Sequence, residues 1–229
     1  MCRHSLFISS FEVNVLRKII FGAKLIGFII VIACILFQCI MPQYTTGYNA
    51  AIIDKYNRLE SITEPKIILV GDSNVAYGFD SQKIQQAFGM PVVNFGLHGS
   101  LGQTFHTEMI KSHINKGDIV IIAPAGYQYE TTVIPDCVMA WATIENHVSL
   151  WSGISAKNYK NMALAYPTYL KRAIQLFISR KGNQPLDSPY ARAAFNEYGD
   201  NTFPRPKCII KDKKYDSYFA SETLSPTMQ

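Results

Sequence analysis

A serine, a glycine and a histidine lie where parallel strands would leave a sheet. Ile67-Ile68-Leu69-Val70 runs straight into Gly71-Asp72-Ser73-Asn74. One βα unit later, Val92-Val93 leads into Asn94-Phe95-Gly96-Leu97-His98-Gly99. The chemistry this pattern fits is acyl transfer. It needs a nucleophile beside backbone N–H groups that can hold an oxyanion. Ser73 is the candidate nucleophile, and the amides of Ser73 and Gly96 are candidate oxyanion donors. Glycine at 96 allows close backbone approach. His98, on the same rim, is a candidate base, and His106 is a second. The plainer reading of Ser73 is a cap on the amides of the helix that follows.

The elements around these residues alternate. Lys66 to Val70 reads as a first strand and Ser81 to Phe88 as a helix, with Asp80 or Ser81 as cap and Gly89 as stop. Met90 to Gly96 reads as a second strand, Leu101 to Asn115 as a helix, and Asp118 to Pro124 as a third strand. This spacing predicts βαβ units in a parallel sheet covered on both faces. A strand order beginning 2-1-3 puts the first strand at the switch point, where ligands bind in open α/β sheets. Farther on, Asp136 to Trp151 and Asn158 to Arg180 read as helices, with Pro167 expected to kink or restart the second. Residues 182–207 read as a long loop, and Cys208 to Ile210 as the start of a strand. The segment Tyr190 to Asp200 carries polar groups with no evident chemistry.

At Gly71-Asp72-Ser73 and Asn94-Phe95-Gly96 the chain resembles the SGNH/GDSL hydrolase superfamily. The membrane-anchored, envelope-associated members are the nearest in character, through Gly117-Asp118-Ile119-Val120-Ile121 followed by Pro124 and Tyr127. The resemblance covers about residues 64–130. It implies a flavodoxin-like α/β sheet with flanking helices, Ser73 as nucleophile and the Gly96 N–H as oxyanion donor. Asp72, Asn74 and Asn94 are then structural neighbours. It also implies an acyl donor or envelope glycan as partner and no cofactor. Two family features are missing. The third strand exit, Pro124-Ala125-Gly126-Tyr127-Gln128-Tyr129, lacks the family's Asn and offers only Gln128 as a side-chain donor. No D-x-x-H occurs anywhere in the sequence. Three expectations follow: an incomplete domain, a base supplied by His98 or His106, or a noncatalytic envelope scaffold that binds glycan. Tyr127, Tyr129 and Glu130 fit a sugar-binding crevice or ordinary loop packing.

Ahead of this domain, Ile19 to Met41 is about 23 residues long and interrupted only by Lys24 and Gln38, enough to span a ~30 Å hydrocarbon core. Residues 1–42 carry a net +3 and the remaining 187 residues a net +2. The positive-inside rule then predicts residues 1–18 in the cytoplasm, a membrane helix over 19–42, a stalk over 43–64 and an extracytoplasmic domain over 65–229. A cleaved signal peptide is disfavoured because the apolar run is long and ends in Cys-Ile-Met-Pro-Gln. A lipid attached at Cys34 is disfavoured because the run continues past it. Trp141 and Trp151 are expected in the core or at the membrane interface. The five cysteines have no metal-binding spacing. A Cys137–Cys208 disulfide is permitted but not implied. No basic cluster with interleaved aromatics points to nucleic acid; Lys211 to Lys214 reads as a solvated loop.

Overall fold

The computed structural model describes residues 10–36, 42–123, 136–145 and 147–204. Helix α1 (Ser10–Ile35) opens the chain. Its stretch Val13–Ile35 is long and apolar enough to cross a membrane, and none of its most apolar window is buried against protein. This agrees with the expected span, though the helix starts earlier than residue 19.

A 3-10 turn (Tyr48–Ala51) and α2 (Ile52–Ser61) follow. Residues 43–64 do not form a free stalk. Ile52, Tyr56 and Leu59, at i, i+4 and i+7, form one face of α2 and are buried in the main core. Lys55 lies on that same face, only 2 % exposed. Its ammonium donates to the carbonyls of Asn94 and Gly199 and sits 4.4 Å from the Phe195 ring centre.

The sheet has three parallel strands, β1 (Ile67–Gly71), β2 (Val92–Asn94) and β3 (Ile119–Ala123), in the order β2-β1-β3. This is the expected order, with β1 central. Ile67 pairs with both Val92 and Ile119, and Gly71 pairs with Ala123. Side chains alternate across β1. Ile68 and Val70 face the larger cluster, with α2, α5 (Gln103–Lys111), α6 (Cys137–Ile144) and α7 (Tyr159–Ser179). Ile67 and Leu69 face a smaller one with Val75, Val92 and Ile84, supplied by α3 (Ser73–Gly78) and α4 (Ser81–Phe88). At the strand entrances, Lys66 and Asp118 form a covered ion pair at 3.2 Å. Burial alone would raise the Asp118 carboxyl. The amides of Asn115 and Lys66 and the Lys66 ammonium outweigh that and hold it below its ordinary range.

One expectation needs correcting. Among the described residues, the sheet is not covered on both faces throughout. Ile119, Ile121 and Ile122 of β3 are 41–53 % exposed, whereas every residue of β1 and β2 is buried. An apolar run marks a strand; it does not say whether that strand is central or at the edge. The long helix passes through Pro167 without ending there, at the loss of one backbone hydrogen bond. Trp141 belongs to the core, its indole N–H donating to Met162 O at 2.8 Å and its ring meeting Trp151 edge-on.

Three buried groups, Glu145, Lys55 and His106, shape the pH response. Glu145 accepts from the amides of Gln43 and Tyr44 and from the Tyr169 hydroxyl. Burial still pushes its carboxyl up from 4.5 to about 7. The folded state therefore binds more protons than the unfolded one between those values, and stability falls as pH rises through that window. Lys55 behaves in the opposite way. Burial lowers it from 10.5 to about 7, and a neutral amine still has two N–H groups for its two carbonyl acceptors. Here the unfolded state binds more protons, so stability rises with pH above about 7. His106, wholly buried and lowered from 6.5 to about 4, has the opposite sign to Glu145 over the acid range, and the two largely offset each other there. Chemical denaturation should show stability rising from about pH 7 to 9 in the wild type and not in Lys55→Met. Glu145→Gln should make stability rise with pH between about 5 and 7, where Glu145 no longer offsets His106. A wild-type profile flat from about pH 7 to 9 would sink the Lys55 assignment.

Candidate functional site

The first turn of α3 settles which residue is the cap. Asp72 is buried, and its Oδ1 accepts the Asn74 N–H at 3.1 Å. Its carbonyl accepts from Val75 and Ala76. The capping role belongs to Asp72, so Ser73 is released from it. Ser73 is exposed, and its hydroxyl makes no hydrogen bond to any described residue. Asn74 is also exposed and turns its Oδ1 to the Val75 N–H at 2.9 Å. Ser73 thus stands at the carboxyl end of the central strand, two residues past Gly71.

The second exit loop runs beside it. Phe95 N–H donates to Leu69 O at 2.7 Å and Leu97 N–H to Gly71 O at 3.3 Å. That ladder brings Gly96, Leu97 and His98 to the level where β1 ends. Gly96 fits there because it has no side chain. A Cβ would lie 2.4 Å from Ala76 N and 2.8 Å from Val75 Cβ.

Two hydrogen bonds change what these residues can do. The Gly96 N–H donates to Asn94 Oδ1 at 2.9 Å. An oxyanion would have to share that amide or displace Asn94. His98 Nδ1 accepts the Ser100 N–H at 3.1 Å. In the neutral ring the proton is then on Nε2, which becomes a donor. His98 so held cannot take a proton from Ser73 through Nε2. The other histidine is farther from the task. His106 is wholly buried and lowered to about 4, chiefly by that burial, and its Nε2 contacts His98 O at 3.3 Å. It supports the His98 backbone and does not reach the rim. Gln128, Tyr127, Tyr129, Glu130 and Cys208 lie outside the described residues. Cys137 is buried.

Asn94 is itself held from both sides. Its Nδ2 donates to Val75 O at 3.0 Å and to Asp200 Oδ1 at 2.7 Å. Asp200 also accepts from the Ser81 N–H at 2.8 Å and the Ser81 hydroxyl at 2.6 Å. The segment with no evident chemistry, Tyr190 to Asp200, therefore braces the rim from below.

It also supplies part of an aromatic wall. The Tyr48 ring stacks on Tyr77 at 5.9 Å and meets Tyr190 at 6.3 Å and His98 at 6.5 Å. Burial, then the neighbouring Tyr77 and the Asp72 charge, raise the Tyr48 hydroxyl far above its usual value. Tyr190 is 65 % exposed and presents its face to solvent. Sequence reasoning missed Tyr48 and Tyr190, which lie 19 residues before β1 or far beyond β3. Their common feature was the aromatic residue type, which carries no address.

Among the described residues no group of three or more His, Cys, Asp or Glu side chains is placed to hold a metal ion. Comparison with protein-family models, with curated proteins and with solved structures finds no match to this chain. The fold and site therefore define a class only: a parallel α/β domain behind an apolar N-terminal helix, with an exposed serine at the end of its central strand.

Proposed function

We propose that the protein is a membrane-anchored serine esterase or O-acyltransferase of the SGNH type, acting on cell-envelope polysaccharide or a related acyl acceptor. The N-terminus is cytoplasmic and the α/β domain lies outside. The observation that carries this reading is the exposed Ser73 hydroxyl, with no hydrogen-bond partner among the described residues, at the carboxyl end of the central strand. Its Oγ attacks the acyl carbonyl, and its proton goes to a base. The ester C–O bond breaks as the leaving alcohol takes a proton, leaving the acyl group on Ser73. Water or a sugar hydroxyl then accepts the acyl group. The amides of Ser73 and Gly96 hold the oxyanion once Asn94 yields the second, with Gln128 as a side-chain donor. His98 becomes a base when its ring turns away from Ser100.

A noncatalytic, glycan-binding reading is favoured by two observations. The Gly96 amide and His98 Nδ1 are already engaged, and the exposed Tyr190 ring, backed by the buried Tyr48, offers an aromatic surface to a sugar ring.

Fluorophosphonate labelling of the full chain in membranes separates the two. The enzyme reading expects a covalent adduct on Ser73, reduced at least ~100-fold by Ser73→Ala. Since the Ser73 hydroxyl makes no hydrogen bond among the described residues and is exposed, that variant should keep wild-type stability. A folded protein that takes no label while retaining envelope glycan supports the scaffold.

A further inference from the structure

The charge of the chain is concentrated in one place. Between Asn146 and Leu186 there are six basic residues, Lys157, Lys160, Lys171, Arg172, Arg180 and Lys181, and no acidic one. The whole chain is +5, so all the rest is −1. None of the six forms a salt bridge with a described residue.

Five of the six lie on or next to α7, and its faces differ sharply. Met162, Tyr169 and Ala173 are buried against the domain. On the opposite side Leu164, Lys171 and Ile178 recur every seven residues, and Leu164 and Ile178 are 69 % and 74 % exposed. Phe177 adds an exposed ring in the last turn. Exposed apolar side chains among basic ones, with no acid, form the pattern of a helix lying in a membrane interface.

The position of α7 supports the same conclusion. Just past its end, Asn183 donates its N–H to Gln43 O at 3.1 Å and its Nδ2 to Pro42 O at 2.6 Å. Pro42 and Gln43 follow the end of α1 by seven and eight residues. Upstream in α7, Tyr166 lies within electrostatic range of Cys34 in the last turns of α1. Leu36, the residue after α1, packs against the domain core. The helix thus runs beside the point where α1 leaves the bilayer. Tyr44, Tyr166 and Trp151, each partly exposed, lie there around the buried Trp141 and Tyr169, and partly exposed aromatics concentrate at membrane interfaces.

We propose that the outer face of α7 is a docking surface for anionic phospholipid headgroups, which seats the folded domain on the bilayer that α1 crosses. Leu164, Phe177 and Ile178 enter the headgroup boundary, and Lys160, Lys171, Arg172, Arg180 and Lys181 meet lipid phosphates. The proposal rests on α1 spanning the membrane and is independent of any chemistry at Ser73.

The test uses the full chain in nanodiscs, with the photoreactive residue p-benzoylphenylalanine at position 178. Position 88 serves as reference, since Phe88 is 67 % exposed on α4. With about 30 mol % phosphatidylglycerol in phosphatidylcholine, irradiation should give lipid adducts at 178 at least ~5-fold above those at 88. Pure phosphatidylcholine, or the variant Lys171→Gln/Arg172→Gln/Arg180→Gln/Lys181→Gln, should cut that yield by a similar factor. All four side chains are exposed, and circular dichroism checks that the variant folds. Equal yields at 178 and 88, yields indifferent to phosphatidylglycerol, or adducts to a second copy of the chain would each overturn the proposal.

Discussion

Asp200→Ala should lower the unfolding free energy by about 3–5 kcal/mol, the cost of removing one partner from a buried charged network. Asp200 is 4 % exposed and accepts from three donors, Ser81 N–H, Ser81 Oγ–H and Asn94 Nδ2–H. Alanine leaves all three in a space that water does not reach, and each unmet donor costs ~1–3 kcal/mol. The loss also removes the negative charge that acts most strongly on the buried Lys55 ammonium. Urea denaturation should show a lower midpoint with an unchanged slope. Asp200→Asn should lose less, because one oxygen remains to accept while its new NH2 group confronts a donor. The same variant acts on the rim. With Asp200 gone, Asn94 Nδ2 keeps only Val75 O, so the Asn94 side chain is freer to let go of the Gly96 amide. Under the acyl-transfer reading, fluorophosphonate labelling of Ser73 should therefore change in rate in Asp200→Ala at a temperature where the variant is folded. Wild-type stability in Asp200→Ala would mean that the segment around residue 200 is not part of the cooperative unit.

What was legible in the chain and what was not divides along a physical line. Elements closed by local interactions could be read. Ser81–Phe88 appears as expected, with Asp80 Oδ1 on the Lys83 N–H and Gly89 in the left-handed region at φ 65. The strands around Val70, Val93 and Ile121 were marked by short apolar runs, and their parallel order followed from the helices between them. The location of Ser73 was legible for the same reason. Its freedom was not, because Asp72 and Ser73 are adjacent and either can cap a helix. A short helix or stalk over Ala50 to Leu59 could be read, but the burial of α2 in the domain was obscured by Lys55, a charged residue on its buried face, whose acceptors lie 39 and 144 residues away. The bracing role of Asp200 depends on Ser81, 119 residues distant, and no periodicity reports such a contact. The engagement of Gly96 by Asn94 depends on one side-chain rotamer. The exposure of β3 depends on what packs over it.

Gly96→Ala should be as damaging as a buried-network variant, costing at least about 3 kcal/mol, at the upper end for overpacking. The added Cβ would stand 2.4 Å from a backbone nitrogen, Ala76 N, and 3.0 Å from Asn94 Oδ1. A flexible side chain can swing away from such a contact, but a backbone atom in the middle of α3 cannot move unless the helix does. Moving α3 pulls Val75 out of the small core and shifts Ser73, two residues upstream. Gly71 has the same constraint from the other side. A Cβ there would meet Ala123 O at 2.4 Å, across the β1–β3 ladder. The two glycines hold α3 against the sheet, and that sets the height of the serine above the rim. Gly78 is the control. It ends the same helix, a Cβ there meets nothing within 4 Å, and its φ is not positive. Gly78→Ala should be neutral or stabilising by about 0.4–1 kcal/mol, through the entropy of the unfolded chain. Thermal and urea denaturation of the pair tests the packing directly. Equal effects of Gly96→Ala and Gly78→Ala would show that α3 does not approach the second exit loop as closely as described, and the placement of the Gly96 amide beside Ser73 would fall with it.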